Sequence, residues 1–160
     1  MPPAHSITPA SPVIILADLA AVARLAQALA AETEPGDVVA LDGPLGAGKT
    51  TLVRFAVAAL GGEAEQVQSP TFTLLHQYHG RVPVVHVDAY RLAGPDALAG
   101  LGFDELAENA VAFVEWAERV LPALPADRLW RVALAHADGH RSAVVTPPPG
   151  RTWAFHAETQ

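Results

Sequence analysis

The sequence contains no cysteine. Disulfides, thiolate metal sites and a cysteine nucleophile are therefore excluded. That absence fits a reducing compartment. Positive charge is also scarce: ten Lys and Arg stand against 17 Asp and Glu, a formal net charge of −7. Such a balance argues against a basic nucleic-acid-binding face as the main business of the chain. Lysine is almost missing, since Lys49 is the only one and the other nine basic residues are arginine. No N-K-x-D guanine-reading signature can exist with its lysine at 49, and no arginine-dense lid of the kind that closes over phosphates in small-molecule kinases is visible. Long apolar runs are lacking too. The run from Val13 is interrupted by Asp18, Arg24 and Gln27, too early to span a membrane. No basic residue precedes it, so it does not read as a secretory signal. The expectation is a soluble, cytoplasmic chain without a membrane partner.

What is present suits one domain. The chain has 160 residues, 51% of them apolar, enough to bury a full core. Met1 to Pro12 carries four prolines and reads as a flexible leader. Residues 147–160 read as a tail of uncertain order. Between them, Val13 to Leu16 reads as a short strand. Asp18 sits where an N-cap belongs, before Leu19, Val22, Leu25, Ala26 and Leu29 at helical spacing, and Pro35-Gly36 stops that helix. Val38 to Leu41 is continuously apolar, as in a strand covered on both faces. A glycine-rich loop follows at once, and then a helix over Thr51 to Leu60 stopped by Gly61-Gly62. Thr71 to Tyr78 and Val82 to Val87 read as strands about a turn at His79-Gly80-Arg81, which would give the sheet an antiparallel part. Pro95 to Leu101 reads as a short helix closed by Gly102. Val111 to Val114 reads as another buried strand. Leu129 to His136 and Arg141 to Thr146 flank Asp138-Gly139, a hairpin signal.

The loop Gly43-Pro44-Leu45-Gly46-Ala47-Gly48-Lys49-Thr50 matches G-x-x-x-x-G-K-[ST] at every fixed position. Glycines let the backbone curl until successive N–H groups point at phosphate oxygens. The helix that follows presents its positive end to the same anion. Lys49 adds a compact charge for the terminal phosphates, where the wide planar fork of an arginine would not fit. Thr50 offers a hydroxyl to magnesium. The strand–loop–helix context is what makes the motif a credible ATP–magnesium site.

Two acids end buried strands. Asp88 closes Val84 to Val87, and Glu115 closes Val111 to Val114. Carboxylates at the C-terminal ends of such strands face the crevice where ligands bind in open α/β sheets. Either can hold magnesium or orient an attacking water. In Ser69-Pro70-Thr71-Phe72, Thr71 is the candidate for a segment whose hydroxyl senses the terminal phosphate. Trp116, next to Glu115, reads by itself as a core residue. The seven histidines are scattered and read as structural, including His86, which shares a strand face with Asp88.

Taken together these blocks resemble a family. Leu41 to Arg54, Ser69-Pro70-Thr71-Phe72-Thr73-Leu74, His86-Val87-Asp88-Ala89-Tyr90-Arg91-Leu92 and Val114-Glu115-Trp116-Ala117-Glu118-Arg119 occur in the order and spacing of the TsaE (YjeE) family, over roughly residues 13 to 146. The resemblance implies an α/β, single-domain P-loop NTPase fold, three-layered about a central mixed β-sheet. It implies an ATPase of tRNA threonylcarbamoyladenosine biosynthesis, weak alone, acting with TsaB–TsaD and meeting tRNA only through that complex. Carried over by residue, Gly43, Leu45, Gly46, Ala47, Gly48, Lys49, Thr50 and Thr51 cradle ATP. Trp116 lies beside the nucleotide, and Arg141 approaches it from the late hairpin. Thr50, Glu115 and Asp88 hold Mg²⁺, and Asp88, Glu115 and Thr71 serve catalysis, with the division between the two carboxylates left open. The family often has aspartate at Pro44 and a bulkier residue at Ala89; neither departure touches a phosphate-binding position. The alternatives are a small-molecule kinase of the P-loop class and a nucleotide-gated binding module.

Overall fold

A computed structural model describes residues 11–68 and 74–155. Seven strands form one sheet: β1 (Ile14–Leu16), β2 (Val38–Asp42), β3 (Leu75–Tyr78), β4 (Val84–Asp88), β5 (Val111–Glu115), β6 (Leu129–Ala137) and β7 (His140–Thr146). Their order across the sheet is β1-β7-β6-β2-β5-β4-β3. The inner four, β6, β2, β5 and β4, run parallel, while β7, β1 and β3 add antiparallel borders. The sheet is therefore mixed; β2, β5 and β4 are buried on both faces, whereas β6 exposes Arg131, Ala133 and Ala135 on one.

Helices α1 (Leu19–Glu32) and α2 (Lys49–Ala59) cover one face. Leu25, Leu29, Leu52 and Val57 pack there against Val39, Leu41, Val111 and Phe113. The alternate residues, Val38, Ala40, Ala112 and Val114, face the other side. There they meet Leu98 of α3 (Pro95–Ala99) and Phe103 of α4 (Phe103–Ala107). This period of two, with an apolar residue at each position, is why β2 and β5 read as unbroken hydrophobic runs.

Local chemistry sets the helix ends. Asp18 caps α1, its carboxylate accepting from the Ala21 amide at 2.8 Å, a contact worth about 1 kcal/mol. The helix ends at Glu32 and the chain turns extended at Thr33, before Pro35, whose ring disfavours helix at the residue that precedes it. Two expectations change. A second short helix, α4, follows Gly102, whose φ of 74° lets the chain reverse before Phe103 enters the core. The described part of the tail is also anchored. Arg151 reaches Asp37 at 2.9 Å, and Trp153 packs edge-on against Trp130 with ring centroids 5.9 Å apart. Among the described residues no helix is long and apolar enough to cross a membrane.

Candidate phosphate-binding site

The loop between β2 and α2 turns on glycines in the left-handed region or close to it: Gly46 at φ 82° and Gly48 at φ 104°. Gly43 is required for space as well, because a Cβ there would lie 2.6 Å from the Leu134 carbonyl oxygen. Only glycine lets the loop pass this close to β6. The loop then delivers Lys49 and Thr50 as the first residues of α2, with the helix N-terminus aimed at the loop.

Lys49 is 6% exposed. Its Nζ donates to the carbonyls of Gly43, at 2.5 Å, and Pro44, at 3.1 Å. The same ammonium lies 4.0 Å from the centre of the Trp116 ring, a cation–π contact. Burial pulls its pKa below the usual lysine value, and the nearby carboxylates of Glu115, Glu118, Asp88 and Asp42 pull it back up. Among the described residues the charge is thus held by neutral carbonyls and a ring face rather than by a direct carboxylate contact.

Thr50 donates its hydroxyl to Glu115 Oε1 at 2.9 Å. Glu115 is 3% exposed, and its other oxygen lies 2.6 Å from His86 Nε2. Asp88 stands directly beside Glu115 in the β4–β5 register. It is more open, and one of its oxygens accepts from the Tyr90 amide at 2.9 Å. Trp116 takes a left-handed backbone, φ 57°, unusual for a bulky residue. That turn lays its indole against Lys49 and 5.0 Å from the Tyr90 ring. Strain of about 1–3 kcal/mol of this kind persists where surrounding contacts hold it.

These side chains line a cavity of about 400 Å³, which Leu45, Gly46, Lys49, Thr50, Asp88, Glu115 and Trp116 share with Leu74, Tyr90 and Arg91. The volume is in the range of small-molecule sites. Five of the expected residues are not in that lining: Gly43 and Gly48, which belong to the loop backbone, and Ala47, Thr51 and Arg141. Ala47, itself in the loop, is buried, and Thr51 lies on α2. Arg141 lies on β7, its Cδ 3.8 Å from where a Gly48 Cβ would be; it lines a second cavity of about 230 Å³ with Asp18 and His136. Its Nε is buried without a hydrogen-bond partner among the described residues. Thr71 lies outside the described residues.

Sequence reasoning missed His86, which belongs to the site through Glu115, and Tyr90, which packs on Trp116. A readable signal existed for His86. In parallel strands ending side by side, the residue two before Asp88 shares its face and borders the neighbour's terminal acid. Asp42, at the end of β2, and Glu118 form a further acidic pair. The Glu118 pKa is raised, first by its hydrogen bond to Asp42 and then by burial.

Magnesium takes hard oxygen ligands and leaves much of its shell to phosphate and water. The Thr50 hydroxyl and Glu115 carboxylate, hard oxygens meeting at the cavity wall, fit that need. Among the described residues no cluster of three or more His, Asp or Glu could hold a metal by itself.

Residues 16–143 match the family model for threonylcarbamoyl adenosine biosynthesis protein TsaE. The chain belongs to the TsaE family. TsaE of Treponema pallidum is 42% identical over 113 residues, 70% of this chain and 83% of that protein. TsaE of Bacillus subtilis is 40% identical over 128 residues, 79% of this chain and 77% of that one. Both carry the name tRNA threonylcarbamoyladenosine biosynthesis protein TsaE. The crystal structure of Bacillus subtilis YdiB superposes with a TM-score of 0.66 at 29% identity, covering 86% of this chain and 85% of that one. The matched TsaE stretch contains every site residue from Gly43 to Arg141, and the Arg151 anchor lies beyond it.

Proposed function

We propose that this TsaE family member binds ATP with magnesium in the 400 Å³ cavity and hydrolyses it slowly, as the accessory ATPase of a TsaB–TsaD complex. The observation that carries the reading is the junction of Lys49, Thr50 and Glu115. A lysine with no direct carboxylate contact among the described residues and a Thr–Glu pair stand on the wall of one cavity at the start of α2. In this reading Lys49 leaves the Gly43 and Pro44 carbonyls for the terminal phosphates, a small movement for a flexible side chain. The backbone of residues 43–48 and the α2 N-terminus hold the remaining phosphate charge. Thr50 and Glu115 hold magnesium, which neutralises phosphate charge when bound. Glu115 is engaged on both oxygens, so the more open Asp88 is the group that orients water. Trp116 and Tyr90 wall the cavity on the apolar side. Thr71 reports the terminal phosphate to the partner complex.

Phosphate release from ATP, measured alone and with TsaB and TsaD, tests this. A slow basal rate that rises only with both partners is the expected result. Transfer of the γ-phosphoryl group to a metabolite would replace the reading with a kinase. Nucleotide-dependent partner affinity without turnover would leave a nucleotide-gated binding module.

A further inference from the structure

His86 is fully buried on β4, two residues before the candidate water-orienting Asp88. Its Nε2 lies 2.6 Å from Glu115 Oε2, and Glu115 Oε1 accepts from the Thr50 hydroxyl. A carboxylate only accepts, so Nε2 is the protonated nitrogen of this contact. The imidazole thus spends its donor on one carboxylate oxygen, while Nδ1 has no hydrogen-bond partner among the described residues. The tilted Tyr78 ring, 6.2 Å away between centroids, flanks it.

We propose that His86 is the positioning residue of Glu115: it fixes Oε2 so that Oε1 stays turned to Thr50 and the cavity. The inference rests on the nucleotide–magnesium reading of that cavity. A glutamate has three rotatable bonds, and the ammonium of Lys49 attracts this one. Left unpinned in a buried setting, the carboxylate would swing into an ion pair with the ammonium. Both groups would then be lost to the ligand. A short bond from a rigid, buried ring removes that alternative and leaves Lys49 on the loop carbonyls and Trp116. Partners behind a ligating side chain commonly matter about 10- to 100-fold in metal affinity.

The test compares the full chain with His86→Leu, which fills the ring's space without a donor, and His86→Gln, whose amide restores a donor near the Nε2 position. ADP binding is titrated calorimetrically with magnesium and again with the metal chelated. The expected result is that His86→Leu loses about 10- to 100-fold of the magnesium-dependent affinity. Its metal-free ADP affinity stays within about twofold, and His86→Gln recovers most of the loss. Equal magnesium dependence in His86→Leu and the wild type would overturn the proposal. So would an equal loss with and without metal, which marks a purely structural residue. If His86→Leu does not fold, His86→Gln and the one-methylene-shorter His86→Asn carry the same comparison, Asn being expected to show the loss. A wild type with no magnesium effect at all would overturn the site reading together with this inference. A responsive wild type beside an equally responsive His86→Leu removes the inference alone.

Discussion

Asp37 and Glu115 are both buried acids, at opposite ends of two neighbouring parallel strands, β2 and β5. Asp37, just before β2, accepts from Arg151, Arg128, Trp130 and the Glu34 amide. Two of those donors are cations, and their guanidinium groups reach solvent. Glu115, at the end of β5, meets a threonine hydroxyl and an imidazole, and among the described residues it has no ion pair with lysine or arginine. A buried carboxylate saturated by arginines closes a structure. One held by a hydroxyl and an imidazole beside a cavity, with no lysine or arginine paired to it among the described residues, is left to meet a cation that arrives later. The difference separates an end of the strands that is closed by arginines from the end proposed to bind nucleotide.

The largest effect in breaking this contrast is expected at Lys49. Lys49→Ala should abolish nucleotide binding, by more than about 100-fold, while thermal unfolding stays near wild type, because the lost contacts are to carbonyls that the loop geometry already holds. Normal nucleotide affinity in a folded Lys49→Ala protein would remove the binding end from the comparison. Next, Glu115→Gln should lower ATP turnover about 100-fold and abolish the magnesium dependence of ADP binding. Stability should be unchanged or higher, since a buried carboxylate with no lysine or arginine partner among the described residues is replaced by an amide of the same shape. Unfolding in urea beside ADP titration reads both.

Asp37→Ala should do the reverse. It should lower stability by about 3 kcal/mol, measured by urea unfolding, with ADP affinity unaltered in the folded protein. The smallest effect is in acid. Burial opposes ionisation of Asp37, yet hydrogen bonds from Arg151, the Glu34 amide and Trp130 hold its pKa below the ordinary aspartate value. A depressed folded pKa gives stability that is complete above the unfolded value, about 3.9, and lost as pH falls through the lower folded one. Thermal unfolding between about pH 5 and 2 should therefore fall less steeply in Asp37→Asn than in wild type.

Much of the fold and of the candidate site was legible in the sequence because the signals are local. The 43–50 loop, the N-cap at Asp18, the hairpin at Asp138-Gly139 and the strands ending in Asp88 and Glu115 each depend on neighbours a few residues away. The α4 helix was not legible: at five residues it is too short for a helical period to register.

What the sequence by itself determined is therefore the phosphate loop with its single lysine, the alternation that buries β2 and β5, and the family blocks. Tertiary structure alone decided how the acids are used. His86 and Glu115 are 29 residues apart in the chain, and Arg151 and Asp37 are 114 apart. Each pair meets only because sheet order and the path of the tail bring it together. Local periodicity says which face a residue takes; whether its charge is neutralised or left for a ligand depends on what another strand, distant in sequence, sets against it.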